Sequence, residues 1–507
     1  MNGTVTLIVS DLHLGAEASL DDFYADEDFA DFLRYHAAQH PRLHLVINGD
    51  WIDFLQIDPY PEKRARREDL EEVYPLRMTE DQAVAAAERT MLRHPLFFQA
   101  LREFLAEKPT RRITVLRGNH DIELAFPAVQ ARLRLELGSP PGDRLAFPPV
   151  CYFERETGLY VEHGCQYDPW NAFHRFDDPF LDRKRRALET PFGSVVVKTF
   201  WNRVESEFPY IDKIRPMADS VTAILVQRPT YLLLKFDYFV DMVLFAWIEN
   251  LRDLLARRPR RALPPPEGTP ENAARQLWRR RYKLGRLTGL VLLAILVQFV
   301  LMGIKLWTVD AHLRGGVAWE MSRQLGDRFL LEVAGAFAAI VLGRLVRFVM
   351  WQAGVKPVVR TVVYRLMVLA AAGLFFTAVV RMFWLPVGIA LSAYLVWDAT
   401  RTLRGKPLAA KNPLERRPLD PELTAALALL ERADIRTVVF GHTHGPLEVD
   451  PVPGKRFINS GTWVKVVDVR NVREEPTELN TYVLVGADGD AHLMCWRGTL
   501  PARRYAA

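Results

Sequence analysis

Five times along this sequence a short apolar run of strand-like composition stops at a cluster of carboxylate, imidazole or amide side chains. Thr4 to Val9 runs into Asp11-x-His13, Leu43 to Ile47 into Gly49-Asp50, and Ile113 to Leu116 into Gly118-Asn119-His120-Asp121. Leu159 to Glu162 stops at His163-Gly164, and Thr437 to Phe440 at Gly441-His442-Thr443-His444. A Gly-Asn pair ends a strand in a tight turn, so the third cluster holds three polar side chains at a strand's carboxyl end. One such cluster is a common accident; five in one chain confine the fold to one that gathers strand ends.

Between the runs lie helical stretches: an acidic one over Leu20 to Ala38, one ending near Glu107, and one over Pro418 to Arg432. Alternating strands and helices imply an α/β fold with ligands at the carboxyl ends of the strands. Residues 58–78 are charged and contain proline, and read as a loop. Thr481 to Val485 and His492 to Trp496 alternate like closing strands. The three cysteines, Cys151, Cys165 and Cys495, make no disulfide framework and fit a reducing compartment. Cys165 reads as a small buried residue.

At 507 residues the chain exceeds one ordinary domain, and its apolar residues are unevenly spread. Residues 1–217 and 406–507 have the composition of a soluble protein, while 276–405 form a far more apolar block. Residues 218–275 read as an amphipathic helix followed by a linker rich in proline and arginine, with Lys235, Asp237 and Asp241 on the helix. Four membrane segments are expected in the block: Leu287 to Ile304, Phe329 to Val349, Leu366 to Val380 and Met382 to Trp397. Glu332, Arg344 and Arg347 lie near the ends of the second, where long side chains can snorkel. If all five clusters form one site, the number of crossings is even, and four satisfies that. Basic residues precede the first segment, surround the link between the second and third, and follow the fourth. The positive-inside rule then puts both soluble parts in the cytoplasm, on a multi-pass membrane protein. The net charge of +5 is modest and sits beside the block, so no nucleic-acid partner is expected.

Asp11, His13, Asp50, Asn119, His163, His442 and His444 are the candidate metal ligands. Mixed nitrogen and oxygen donors without a cysteine cluster suit Mn²⁺, Fe²⁺ or Zn²⁺ better than Ca²⁺. Seven donors exceed one tetrahedral ion and match two ions about 3.5–4 Å apart, an arrangement that holds a phosphate and activates a water between them. Trp51, Asp53, Arg117, Gln166 and Tyr167 lie beside the motifs and are candidate substrate contacts.

Asp-x-His, Gly-Asp, Gly-Asn-His-Asp, His-Gly and Gly-His-x-His in this order resemble the calcineurin-like metallophosphoesterase superfamily. The resemblance covers 1–215 and 410–507 and leaves out 220–405. It implies a two-sheet β-sandwich flanked by helices, here split by an inserted transmembrane helical domain, and a phosphoric ester hydrolase that carries two divalent ions, Mn²⁺ foremost. It implies that Asp11, His13 and His444 hold one ion, that Asn119, His163 and His442 hold the other, and that Asp50 bridges them. It implies too that His120 protonates the leaving oxygen or stabilises the transition state, with Asp121 orienting it.

The opening Asp-Leu-His-Leu-Gly is also similar to the hydrolases that cleave UDP-2,3-diacylglucosamine. That group has arginine where this chain has His120, and no multi-span insertion. The expected substrate is a phosphoester or pyrophosphate on a small molecule or a lipid-linked carrier, with membrane lipids as partners and a homo-oligomer left open. Two alternatives stand beside it: a tethered phosphatase or phosphodiesterase for soluble substrates, and a membrane signalling protein with a regulatory phosphoesterase unit.

Overall fold

A computed structural model describes residues 3–17, 20–61, 74–139, 142, 144–182, 184–205, 208, 214–215, 224, 228, 231–255, 269–278, 317–378, 421–468, 477–478, 480–497 and 500–504. The expected segments Leu287 to Ile304 and Met382 to Trp397 lie outside these residues. The chain divides into two compact units. One comprises Met1–Ser220, Met242–Gly285 and Leu419–Ala507, and the other Val221–Asp241 and Arg286–Pro418.

The first unit is mixed α/β with two mixed sheets. In the seven-stranded sheet Val5–Val9, Leu43–Asn48, Arg112–Leu116 and Leu145–Ala146 run parallel. Thr481–Val485 pairs antiparallel with Val5–Val9, and Ala491–Arg497 and Leu500–Arg504 follow it outward. In the five-stranded sheet Leu159–Val161, Thr437–Phe440 and Lys455–Asn459 are parallel neighbours, with Tyr152–Glu154 and Leu447–Val452 antiparallel at the edges.

Side chains alternate across each pleat, and the burial pattern uses both faces. Ile8, Val46 and Leu116 of one sheet join Leu159, Val161, Val439 and Ile458 of the other in a single apolar cluster. Their neighbours Leu7, Val9, Leu45, Ile47, Val438 and Phe440 face a larger cluster shared with helices. Both faces of the parallel strands are therefore covered, which explains why they read as continuous apolar runs.

The helices follow from their apolar spacing. Asp26–Gln39 buries Phe29, Ala30, Phe32, Leu33, His36 and Ala37, one face of a helix, and opens with three acidic residues that favour its amino end. It begins six residues later than the acidic run suggests, because Asp21 turns inward and accepts from the Gly15 amide at 3.1 Å. The stretch ending at Glu107 is two helices, Glu80–Arg93 and Pro95–Glu107. Pro95 has no amide hydrogen to continue the first and is well placed to start the second.

His94 at that junction is buried between two carboxylates, 2.9 Å from Asp26 and 3.3 Å from Asp21, which Arg93 also meets at 3.0 Å. Burial lowers the imidazole's affinity for a proton, but the adjacent Asp21 and Asp26 carboxylates outweigh it and raise the pKa to about 9. The stabilisation from charged His94 is then full below the unfolded value near 6.5 and is lost as pH rises towards about 9. The wild type is expected to lose on the order of 1–3 kcal/mol of stability between pH 6 and 9.5 that His94→Gln does not. Urea midpoints of both proteins across that range test it.

Residues expected to form the amphipathic helix, the linker and the start of the apolar block are partly built into this unit. Ala274 and Trp278 are buried in its core, and Arg275 pairs with Asp177 at 3.0 Å. Glu249 of the Phe236–Leu255 helix pairs with Arg77 at 2.5 Å.

Among the described residues the second unit has two helices long and apolar enough to cross a membrane, Leu331–Gln352 and Pro357–Ala378. Each has 22 residues, about 33 Å at the helical rise, against a hydrocarbon core of about 30 Å. Leu331, Val341, Phe348, Val358, Leu366 and Phe376 are all more than half exposed, which suits an apolar surrounding. The second helix begins nine residues before the expected Leu366, because Gly354 and Pro357 punctuate a short link. Arg344, expected to snorkel, instead pairs with Asp241. Asp237 accepts from Tyr364 Oη at 3.0 Å and from Arg365 at 2.9 Å. Arg344 and Arg365 of these apolar helices are thus matched by partners more than a hundred residues away, which periodicity cannot reveal.

Candidate metal centre

The parallel strands of each sheet finish at one edge, and the five clusters come together there. Asp11, His13 and His444 form one group of facing ligand atoms, Asp50, His163 and His442 a second, and His13, Asp50 and His120 a third. In each group the atoms lie within 4.8 Å of one another. Asp50 stands in two groups: its Oδ2 is 3.1 Å from His163 Nε2 and 3.9 Å from His13 Nε2. Asp11 Oδ1 is 3.3 Å from His444 Nε2.

The backbone is bent to achieve this. Eight described non-glycine residues have positive φ, and five of them are Asp11, His13, Asp50, His442 and His444. A left-handed residue costs about 1–2 kcal/mol, so strain is concentrated where the ligands are, as at functional sites generally. Hydrogen bonds hold the bends. Leu12 and His13 donate to the Asp50 carbonyl at 3.0 and 2.9 Å, and Leu14 to that of Trp51 at 2.9 Å. Thr462 Oγ1 donates to the Asp11 carbonyl at 2.7 Å, and the His442 amide to the Asp11 carboxylate at 3.0 Å. Two glycines permit close approach: a Cβ on Gly118 would collide with Asp50, and one on Gly441 would lie 2.6 Å from Asp11 Oδ2.

The donor set fits divalent cations. Asp11, Asp50 and His163 are almost completely buried, and burying charges so close together is costly without a counter-ion. Asn119 Oδ1 is buried without a hydrogen-bond partner in the protein, an acceptor suited to a cation. His163 Nδ1 donates to the Asn48 carbonyl at 2.8 Å, which leaves Nε2 as the ligand nitrogen. Protons now hold these groups together. Burial opposes the charge on Asp11, yet His163 and His444 bring its pKa down to about 2. Burial likewise opposes charge on His163, yet Asp50 and Asp11 raise it to about 10. Metal and proton compete for the same lone pairs.

His120 stands beside the cluster, and its neighbours correct one expectation. Asp53, not Asp121, lies against its ring: Asp53 Oδ2 and Oδ1 are 2.9 and 3.0 Å from His120 Nδ1. Oδ2 is also 2.9 Å from His13 Nδ1. Asp121 accepts from the Gly118 amide at 2.6 Å and the Trp51 amide at 2.8 Å, so it fastens two turns together. The Asp121 side chain points back into its own turn, whereas Asp53 arrives from the neighbouring strand end.

The other proposed substrate contacts are structural. Trp51 is fully buried against Phe97 and Phe98. Arg117 donates to the Pro149 carbonyl at 2.8 Å. Gln166 is tied to the backbone of Phe173 through both ends of its amide, at 2.7 and 3.1 Å. Tyr167 stacks on Phe440 and donates to Glu162. Cys165 is buried, as expected. Asp168 was missed: its Oδ2 is 3.3 Å from His442 Nε2. The signal was a carboxylate five residues past His163, too common a spacing to stand out.

Comparison with protein-family models, with characterised proteins and with solved structures finds no match. This chain presents clustered histidines and aspartates able to hold a metal ion and, in its other unit, apolar helices long enough to cross a membrane.

Proposed function

We propose that this chain is a membrane-anchored metallophosphoesterase of the calcineurin-like type, hydrolysing a phosphoester or pyrophosphate bond with two divalent ions, Mn²⁺ foremost. The observation that carries the reading is the linking of three ligand groups through Asp50 and His13, each of which stands in two of them, with His120 held by a separate carboxylate. Asp11, His13, Asp50 and His444 would hold one ion, and Asp50, Asn119, His163 and His442 the other. When bound, such a pair supplies charge neutralisation on the phosphate and a water of lowered pKa.

The protein's own groups do the rest. His120 gives a proton to the departing oxygen through Nε2, the nitrogen that Asp53 leaves free. Burial disfavours the imidazolium, but Asp53 and Asp50 raise its pKa to about 9, so the acid form is available. Asp53 fixes the ring orientations of His13 and His120 together, tying the ligand geometry to the proton donor.

The two apolar helices support anchoring, and the basic residues at and near their link, Lys356 and Arg360, favour a cytoplasmic link by the positive-inside rule. A multi-pass arrangement with the ligand clusters in the cytoplasm accords with this, and a phosphate on a small molecule or lipid-linked carrier is the substrate.

Full-length protein in detergent is expected to hydrolyse a p-nitrophenyl phosphodiester with Mn²⁺, to lose activity on chelation and to regain it on adding Mn²⁺ back. Turnover that survives complete removal of metal, or protein that neither binds metal nor turns over, would overturn the reading.

A further inference from the structure

The turn after His163 carries an aromatic surface that the chemistry at the ligand cluster leaves unexplained. Trp170 is 60% exposed, whereas Trp51, Trp201, Trp278, Trp463 and Trp496 of the same unit are buried. It is nonetheless rigidly placed. Asp168 uses one carboxylate oxygen to accept from the Trp170 amide at 2.9 Å and the other to face His442 Nε2 at 3.3 Å. That puts the Trp170 Cα within about 7 Å of the Cα of a residue touching a candidate metal ligand. The Trp170 carbonyl accepts from the Gly193 amide at 2.7 Å, and its ring leans on Phe192 with centroids 4.9 Å apart. Gly193 cannot be enlarged, because a Cβ there would collide with Asn171. The Gln166 amide closes the loop from behind by gripping Phe173 at both backbone atoms.

A large apolar ring fixed in water forfeits the burial that makes tryptophan worth placing, and a preorganised one beside a polar site marks a binding surface. Resting on the phosphoesterase reading, we infer that Trp170, with Phe192, is a specificity wall that receives the apolar group attached to the substrate's phosphate. Asp168, which touches both His442 and the Trp170 amide, is itself partly open to solvent, so a substituent on a phosphate held at the cluster would reach the ring by passing over it. The shared chemistry is a hydrophobic surface next to an anion; its source is a hydrocarbon chain or a planar ring.

Competitive inhibition by methyl-, hexyl- and phenylphosphonate, against a common p-nitrophenyl diester and with the full chain in detergent, tests this. Covering about 55 Å² of the tryptophan face changes binding about tenfold. Wild type is expected to bind the hexyl or the phenyl compound about tenfold more tightly than the methyl one. A hexyl preference identifies a chain and a phenyl preference a ring. Trp170→Ala should lose that preference while keeping its affinity for methylphosphonate and its metal content. Trp170→Phe should keep part of it, and Leu135→Ala, a distant exposed apolar site, all of it. A preference unchanged in Trp170→Ala, or no preference in an active wild type, overturns the wall alone. A wild type that hydrolyses no ester with any metal overturns the phosphoesterase reading, and the wall with it.

Discussion

Asp50→Asn is expected to strip the protein of bound metal and to reduce phosphodiester turnover by at least about 10³-fold. Asp50 is the one carboxylate shared by two ligand groups, with His163 and His13 on either side. Asparagine preserves its volume and tolerates the left-handed backbone that Asp50 adopts at φ 49°, so the change removes charge with little added strain. The amide can still accept from His120 N, as Asp50 Oδ1 does now at 2.8 Å. Metal analysis, turnover and a thermal midpoint on the same preparation separate the outcomes. Loss of metal with a midpoint matching that of the metal-stripped wild type supports a shared ligand. Full metal content with full activity would remove Asp50 from the centre.

His120→Ala should behave in the opposite way towards metal. Its ring belongs to a ligand group with His13 and Asp50, but Asp53 engages its Nδ1, and the remaining donors suffice for two ions. Metal content is expected to stay intact while turnover falls about 10²- to 10⁴-fold, the usual contribution of a positioned acid. The size of the fall should depend on the leaving group. A p-nitrophenolate departs readily without a proton, whereas an alkoxide does not, so alkyl esters should lose the most. Equal losses for both esters would show that His120 does not deliver the proton. Loss of metal would make it a ligand instead.

Most of the ligand set was legible from local sequence. A strand that ends in glycine and a polar residue fixes what stands at its carboxyl end, and Asp11, His13, Asp50, Asn119, His163, His442 and His444 all stand there. The buried runs leading to them were legible as well, because strands covered on both faces must be apolar throughout. The helix boundaries were less so. The start at Asp26 depends on Asp21 turning inward to the Gly15 amide, whereas the break at Pro95 is local, set by the missing amide hydrogen of the proline.

Residue types and order along the chain determined that candidate metal donors stand at strand ends, and that an apolar block interrupts the α/β part. Only the tertiary structure decided which carboxylate serves which histidine. Asp121 adjoins His120 in sequence but is spent on two backbone amides, while Asp53, distant along the chain, holds the ring. It also decided that Trp51, Arg117, Gln166 and Tyr167 brace the scaffold while Trp170 faces water, and that Asp237 and Asp241 neutralise Arg365 and Arg344. The reason is the same in each case. Sequence fixes the chemistry of a side chain and the local path of its backbone, but a short polar side chain at a turn takes its direction from contacts supplied by distant segments.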